Sequence, residues 1–293
     1  MDDPLPSVDI VIKTFMRPAC LRRLVDSITA RYPGAPLNIA DDSELDEATA
    51  SYYAGLERQG HQVVLLPFNV GVSAGRNALV DRTSRPYLLL LDDDRVFTED
   101  TSLEALLDVL QADPSIGVAA GSSVDNGTDL VSYEHNLRVK HRLVHYYPVG
   151  PATTPIGGHP CRVAQGVHNF ALFRREVFAT TRWDDELKSM EHTDFFLRLS
   201  RTPWKVVHVS DVSVAHFHES PPGYDAFRYD RANNERGEKK WDIIGSVYHT
   251  DNARSDRRLA RRIYAKSALA SLRERKIRIA ASTLASALLA ELQ

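Results

Sequence analysis

The sequence is poor in cysteine, in long apolar runs and in surplus charge, and each shortage excludes a class of protein. Two cysteines in 293 residues, Cys20 and Cys161, are too few for a disulfide framework and suit a reducing compartment. No apolar run approaches the roughly 18 residues that span a bilayer, and residues 1–7 lack the layout of a signal peptide. With 36 basic and 39 acidic residues the formal charge is −3, which argues against a nucleic-acid partner. We therefore expect a cytoplasmic protein.

The composition, 43% apolar and 26% charged, is that of an ordinary globular protein. Along the first half of the sequence, short apolar runs alternate with helical patterns. This alternation predicts an α/β fold around a mostly parallel sheet with both faces covered. The predicted strands are 8–12, 37–40, 63–67 and 87–91, and the predicted helices are 19–31, 72–83 and 102–111. In such a sheet, ligands bind beyond the carboxyl ends of the strands, so the polar residues directly after two predicted strands, Asp41-Asp42-Ser43 and Asp92-Asp93-Asp94, are the first candidates.

The second half of the chain is less regular, and its end is basic. We predict antiparallel strands within 130–149, a loop at 153–160, a helix at 191–200, and short strands at 206–209 and 212–216 that close the sheet. Residues 250–293 hold ten Lys/Arg against four Asp/Glu, which predicts a basic helical extension. The expected organisation is a domain over 1–249, with a nucleotide half at about 7–122 and an acceptor half at about 123–249, followed by the extension at 250–293.

Three adjacent carboxylates, Asp92, Asp93 and Asp94, follow the most apolar predicted strand. A solvated turn would need only one or two of them, whereas a divalent cation such as Mg²⁺ or Mn²⁺ makes such a cluster favourable. Alternate residues of an extended segment share a face, so Asp92 and Asp94 should converge while Asp93 points elsewhere. The pattern favours a site for a metal and a phosphate.

Several segments together carry a family resemblance. They are Val8 to Phe15, Ala40-Asp41-Asp42-Ser43, Gly75-Arg76-Asn77, Leu91-Asp92-Asp93-Asp94, Asn169-Phe170-Ala171-Leu172 and Glu191-His192-Thr193-Asp194-Phe195-Phe196. Over about residues 7–218 the chain resembles inverting glycosyltransferases of the GT-A fold, family 2-like. Its motifs are most similar to the catalytic domains of ganglioside-type β-1,4-N-acetylgalactosaminyltransferases.

The resemblance implies a role for each matching residue. It implies a uridine pocket and nucleotide contacts at Thr14, Asp41, Asp42, Arg76, Asp92 and Asp93. Metal ligands would be Asp92, Asp94 and His216, with His218 as a substitute for the histidine. The base that takes the acceptor proton would be Asp194, with Glu191, on the same helical face, as the second choice.

The expected function is therefore metal-dependent, inverting transfer of a GalNAc, GlcNAc, Gal or Glc unit from a UDP-sugar to a glycan, glycolipid or small molecule. The ganglioside enzymes carry a membrane anchor, and its lack here suggests a bacterial enzyme. The basic extension predicts either peripheral contact with the inner face of a membrane or a homodimer. The alternatives are a nucleotidyltransferase, although residues 13–17 are not its Gly-rich loop, and a non-catalytic module that binds sugar nucleotides or glycans.

Overall fold

One large sheet organises the fold in the computed structural model, which describes residues 5–250, 253–273 and 277–291. Its strands are β1 (Val8–Thr14), β2 (Leu37–Asp41), β3 (Gln62–Leu65), β4 (Tyr87–Asp92), β5 (Arg95–Val96), β6 (Ile116–Asp125), β7 (Asp129–Val131), β10 (Thr154–Ile156), β11 (His159–Ala164), β12 (Phe170–Arg174) and β13 (Lys205–His216). A small second sheet contains β8 (His135–Lys140), β9 (Leu143–Pro148) and β14 (Ser246–Tyr248).

The helices lie between these strands and at the end of the chain. They are α1 (Pro18–Arg31), α2 (Glu47–Arg58), α3 (Val72–Arg82), α4 (Leu103–Ala112), α5 (Val177–Thr180), α6 (Glu191–Leu199), α7 (Tyr224–Arg228), α8 (Arg231–Trp241), α9 (Ala253–Arg273) and α10 (Ile277–Glu291). The predicted α/β class and the helical C-terminal extension are thus confirmed.

The large sheet is mostly parallel, as predicted. Its order is β10-β11-β13-β6-β12-β4-β1-β2-β3. β1 pairs in parallel with β2 and β4, and β2 pairs in parallel with β3. β12 lies between β4 and β6 and is antiparallel to both, and β6 is parallel to β13. The strands β1, β2, β3, β4, β6 and β13 therefore run in one direction, and their carboxyl ends lie along one edge.

Each face of the large sheet is buried under helices, which places a separate apolar cluster on each side. On one face, Leu21 and Leu24 of α1 and Leu106 of α4 are buried in one cluster. On the other face, Leu79 of α3 and Phe195 of α6 are buried in a second. The near-continuous apolar runs of β1 and β4 follow from this burial on both faces.

Three predictions about the second half need correction. Residues 153–160 are not a loop but the hairpin of β10 and β11, whose turn uses Gly157 and Gly158 at positive φ. The two strands predicted at 206–209 and 212–216 are one strand, β13, with an irregularity between His208 and Ser213. β13 does not close the sheet, since β11 and β10 lie beyond it.

The C-terminal helices pack beside the small sheet. Tyr264 of α9 is buried against Leu143 of β9 and Val247 of β14, and its hydroxyl donates to the carbonyl of His141 at 2.5 Å. In the part of the chain that the structure describes, no helix has the length and apolarity that a bilayer crossing requires.

Candidate functional site

A cavity of about 570 Å³ opens at the carboxyl edge of the parallel strands. Its walls come from three parts of the chain: the strand ends of the N-terminal half, α6 with the end of β13, and the segment around α7. The lining includes Lys13, Thr14, Asp42, Arg76, Asp92, Asp94, Asn169, Glu191, His216, Tyr224, Phe227 and Arg228. Its volume lies within the range of small-molecule sites.

The three consecutive aspartates separate as the alternation predicts. Asp92 and Asp94 line the cavity, whereas Asp93 is fully buried and points into the protein. Asp93 pairs with Arg17 and accepts a hydrogen bond from the Thr14 hydroxyl at 2.6 Å. Burial raises the pKa of Asp93 to about 7, against the opposing charge of Arg17. Asp93 thus stabilises the end of β4 from inside the protein.

Asp94 differs from Asp93 although the two are adjacent. Burial alone would raise its pKa, but the hydrogen bond from His216 and the charges of Arg17 and Arg95 hold the pKa well below its usual range. Its Oδ2 accepts from Arg17 at 2.8 Å. Its Oδ1 is buried and accepts no hydrogen bond within the described residues.

At the end of β2, only one of the two predicted aspartates reaches the cavity. Asp42 lines it, pairs with Lys13 and accepts from the backbone N–H of Gly71 at 2.8 Å. Asp41 is outside the lining, because its carboxylate accepts from the Tyr53 hydroxyl at 2.6 Å and from Ser43.

Arg76 joins the two sides of the cavity. This side chain on α3 is only 2% exposed, and it donates to Asp92 at 2.8 Å and to Glu191 at 3.1 Å. Burial and Arg76 act in opposite directions on Asp92, and the net effect lowers its pKa. Glu191, in the second half of the chain, is thereby held facing the end of β4, in the first half.

The structure does not bring Asp194 to the cavity. It is 1% exposed, lies outside the lining and is held by Arg198 at 2.7 Å, Lys240 at 2.7 Å and the indole N–H of Trp241 at 3.0 Å. Glu191, one helical turn earlier, lines the cavity. The catalytic role of Asp194 stays a prediction, and the geometry favours Glu191.

Of the three predicted metal ligands, the structure brings Asp94 and His216 into contact. The Nε2 of His216 lies 3.4 Å from Asp94 Oδ2, and the Nδ1 of the same ring is 2.9 Å from Asp125 Oδ1. A carboxylate on the far nitrogen is the usual support of a metal-binding histidine. Asp94 Oδ1 accepts no hydrogen bond within the described residues and lies 3.8 Å from Arg95 Nε, and with this oxygen the donor set fits Mn²⁺ or Mg²⁺. Asp125, His216 and His218 also offer ligand atoms within 4.8 Å of one another.

Several lining residues were not predicted as site residues. Lys13 and Arg17 flank Thr14 at the end of β1, and applying the strand-end rule to β1 as well could have found Lys13. Asn169 donates to Asp92 Oδ2 at 3.0 Å. Asp125 ends β6, a strand that the sequence patterns did not predict, so no signal marked it.

The chain is similar to known sugar-transfer proteins. The family model described as "Glycosyl transferase family 2" matches residues 9–182, more than half of the chain. Human β-1,4 N-acetylgalactosaminyltransferase 1 is 33% identical over 222 residues, which are 71% of this chain and 38% of that protein. Mouse β-1,4 N-acetylgalactosaminyltransferase 2 is 30% identical over 197 residues, 65% of this chain and 35% of that protein. The chain thus matches less than two-fifths of each relative's length.

Two solved structures share the fold at low sequence identity. GalNAc-T7, solved with UDP, GalNAc and Mn²⁺, matches with a TM-score of 0.55 at 14% identity. The matched region is 83% of this chain and 55% of the GalNAc-T7 chain. S. aureus TarS 1–349, in complex with UDP-GlcNAc, has a TM-score of 0.55 at 14% identity, covering 75% and 61%. The resemblance seen in the motifs, to the fold and to the β-1,4-N-acetylgalactosaminyltransferases, is confirmed. The chain belongs to glycosyl transferase family 2.

Proposed function

We propose that the protein is a metal-dependent, inverting glycosyltransferase that uses a UDP-sugar. One observation carries the proposal: Arg76 holds Glu191 of α6 beside Asp92, at the strand end where a donor diphosphate is expected. Support also comes from GalNAc-T7, crystallised with UDP and Mn²⁺, and from TarS, crystallised with UDP-GlcNAc. The donor sugar is of the GalNAc, GlcNAc, Gal or Glc type, and the acceptor is a hydroxyl of a glycan, glycolipid or small molecule.

Glu191 is the proposed base. Its carboxylate takes the proton of the acceptor hydroxyl while the hydroxyl oxygen forms a bond to the anomeric carbon. The bond from that carbon to the diphosphate oxygen breaks on the opposite side, and its electron pair leaves with UDP, so the configuration inverts. Arg76 positions Glu191 and offers its charge to the phosphates.

Asp94 and His216 are the proposed ligands of the divalent ion. Asp125 orients the His216 ring through its Nδ1. When bound, the ion supplies charge stabilisation to the leaving diphosphate. Asp92, already paired with Arg76 and Asn169, is placed to meet the metal or the ribose.

The test measures UDP release from UDP-GalNAc, UDP-GlcNAc, UDP-Gal and UDP-Glc, with Mn²⁺ and with excess EDTA. We expect release from at least one donor with Mn²⁺ and none with EDTA. Glu191→Gln should lower turnover by roughly 10²–10⁴-fold and leave UDP binding in place. Glu186→Gln is the matched control, because Glu186 is exposed and outside the cavity lining. Undiminished turnover in Glu191→Gln would reject Glu191 as the base, and release of the sugar 1-phosphate instead of UDP would indicate a nucleotidyltransferase.

A further inference from the structure

A group of aromatic rings lies next to the cavity but takes no part in the donor site described above. Tyr133, His135, Tyr146 and Tyr248 form this group, here called the ring platform. Tyr146 of β9 and Tyr248 of β14 are paired in register, and their rings stack 4.3 Å apart at 13°. Tyr133 lies 4.8 Å from His135, which in turn lies 5.8 Å from Tyr248.

Tyr248 is the platform ring that presents aromatic surface to solvent, whereas Tyr146 beneath it is buried. Tyr248 is 47% exposed, and its hydroxyl lies 3.5 Å from that of Tyr133. Burial raises the pKa of Tyr146 to about 12, so this phenol stays neutral. Burial lowers the pKa of His135, which favours a neutral ring. The rings themselves thus carry no charge that would select an ionic partner.

The platform is joined to the donor cavity by direct contacts. The ring of Tyr133 lies 5.7 Å from that of His192, whose Nδ1 is 2.8 Å from Asn169 Oδ1. Asn169 in turn donates to Asp92, in the cavity lining. The Tyr146 hydroxyl is 2.6 Å from Thr193 Oγ1, two residues after Glu191. Tyr133 and Tyr146 of the platform therefore contact α6 within one helical turn of the proposed base.

One buried polar atom beside the platform has no partner. His168, whose ring lies 5.2 Å from that of Tyr133, has an Nε2 that makes no hydrogen bond within the described residues. Leaving a buried polar atom unpaired costs about 1–3 kcal/mol. A ligand hydroxyl that reaches this atom would remove that cost.

We infer that the ring platform is the acceptor subsite and that it binds an uncharged sugar ring, stacked on Tyr248. This inference rests on the proposed function, since it names the acceptor class of the same site. A pyranose has an apolar C–H face and a rim of hydroxyls, which match an aromatic face edged by phenols and imidazoles. A lipid chain would need a wider apolar surface, and a phosphate would need a cation.

The experiment compares Tyr248→Ala with a matched control on the same sheet. Tyr147 is one residue along β9 from Tyr146, faces the opposite side and stacks on His249 at 4.2 Å. With the active donor and Mn²⁺, the acceptors are the methyl β-glycosides of galactose, glucose and N-acetylglucosamine, and glycerol serves as a polyol without a ring. Transfer to water, without acceptor, reports on the donor site alone.

We expect Tyr248→Ala to raise the KM for the best methyl glycoside about tenfold, the equivalent of about 1.4 kcal/mol, with the donor KM and the transfer to water unchanged. Tyr248→Phe, which keeps the ring, should stay within about twofold of wild type. The KM for the methyl glycoside should keep its wild-type value in Tyr147→Ala, and the transfer to glycerol should not change in Tyr248→Ala. An unchanged KM in Tyr248→Ala, or an equal rise in Tyr147→Ala, would overturn the inference.

Direct binding separates this inference from the proposed activity. In saturation-transfer NMR with the same methyl glycosides, we expect signals on the ring C–H protons that disappear in Tyr248→Ala and remain in Tyr147→Ala. A wild-type protein that shows this binding but releases no UDP would contradict the proposed activity and leave the subsite standing. No such signal in the wild type would overturn the subsite.

Discussion

Asp92, Asp93 and Asp94 are chemically identical, yet their neighbours give them three different roles. Asp92 is held by Arg76 and Asn169, Asp93 by Arg17 and Thr14, and Asp94 by Arg17 and His216. The two cavity-facing carboxylates have lowered pKa values, whereas burial raises that of Asp93. Arg17 therefore compensates two acidic groups at once.

Replacing Arg17 tests this compensation. Arg17→Met should lower the free energy of unfolding by roughly 3–5 kcal/mol, because it leaves the buried Asp93 without its cation. A carboxyl group whose folded pKa lies above its unfolded value holds its proton more tightly when folded, so the variant should lose further stability as the pH rises from 5 to 8. Urea unfolding at both pH values measures this. Adding Asp93→Asn should restore part of the loss, and a double variant no more stable than Arg17→Met would contradict the argument.

The divalent ion is tested at Asp94 and His216. Asp94→Asn keeps the size of the side chain but removes a charged ligand, so the Mn²⁺-dependent gain in UDP affinity should largely disappear. His216→Gln should weaken Mn²⁺ binding by about 10-fold or more, as loss of a ligand does. Calorimetric titration of UDP with and without Mn²⁺ measures both. Asp211→Asn is the control, because Asp211 is exposed and outside the cavity lining. Full activity in excess chelator would contradict a role for the metal.

The strand-end rule predicted a large part of the site. It selected Asp42, Asp92 and Asp94 because parallel strands end along one edge, and all three line the cavity. It could not distinguish Asp41 from Asp42, since the partner of Asp41 is Tyr53 on α2, a helix that the patterns did not predict. Asp194 is held by Lys240 and Trp241, which no local pattern relates to it.

At the scale of elements, α7 forms part of the cavity wall and is held there by aromatic contacts. Phe227 meets Phe15 edge to face at 5.6 Å and Phe68 at 5.5 Å. Arg228 and Tyr229, which follow it, line the cavity. Tyr224 adds a second contact, since its ring lies 6.3 Å from that of Phe15, so α7 is attached to the ends of the N-terminal strands through two side chains.

Removing the Phe227 side chain should loosen α7. We expect Phe227→Ala to speed amide hydrogen exchange across 219–229 and to weaken UDP binding several-fold, because two edge-to-face pairs worth about 0.5–1.5 kcal/mol each are lost. Hydrogen-exchange mass spectrometry measures the first effect. Arg231→Ala, an exposed change at the start of α8, should alter neither quantity, and unchanged exchange in Phe227→Ala would contradict this attachment.

Elements with strong periodicity were predictable, and those defined by distant partners were not. The apolar runs of β1 and β4 and the helical spacing of α1 follow from burial against neighbours close in sequence. The hairpin of β10 and β11 was missed because Pro155 and Pro160 reduce the strand signal, which an edge position tolerates. β12 is only five residues long, and its strand state depends on β4 and β6.

Across the described part of the molecule, the histidines with the most strongly lowered pKa values, His168 and His192, make folding sensitive to acid. Burial lowers the pKa of His168 to about 3 and that of His192 to about 4. Both lie between the ring platform and the donor cavity. Each is neutral in the folded protein over a range in which the unfolded chain takes up a proton, below the ordinary pKa of about 6.5.

Stability should therefore fall as the pH drops from about 6.5 towards 4. Each histidine contributes a slope of up to about 1.4 kcal/mol per pH unit. Urea unfolding of His168→Gln between pH 7 and 5 should give a shallower dependence than wild type. His141→Gln, at a half-buried position, serves as the comparison. Equal slopes of stability against pH in wild type and His168→Gln would contradict the assignment.

The position of β12 has a consequence for how the chain folds. β4 and β6 are not neighbours; they are joined only through β12, whose residues come about 50 positions after β6. A nascent chain that ends before residue 170 lacks both β12 and β13, so β4 and β6 keep open edges, and such edges attract other strands. The predicted boundary near residue 122 also falls inside β6. We expect the fragment 1–165 to aggregate during synthesis, whereas a chain long enough to add β12 and β13 joins these strands into one sheet.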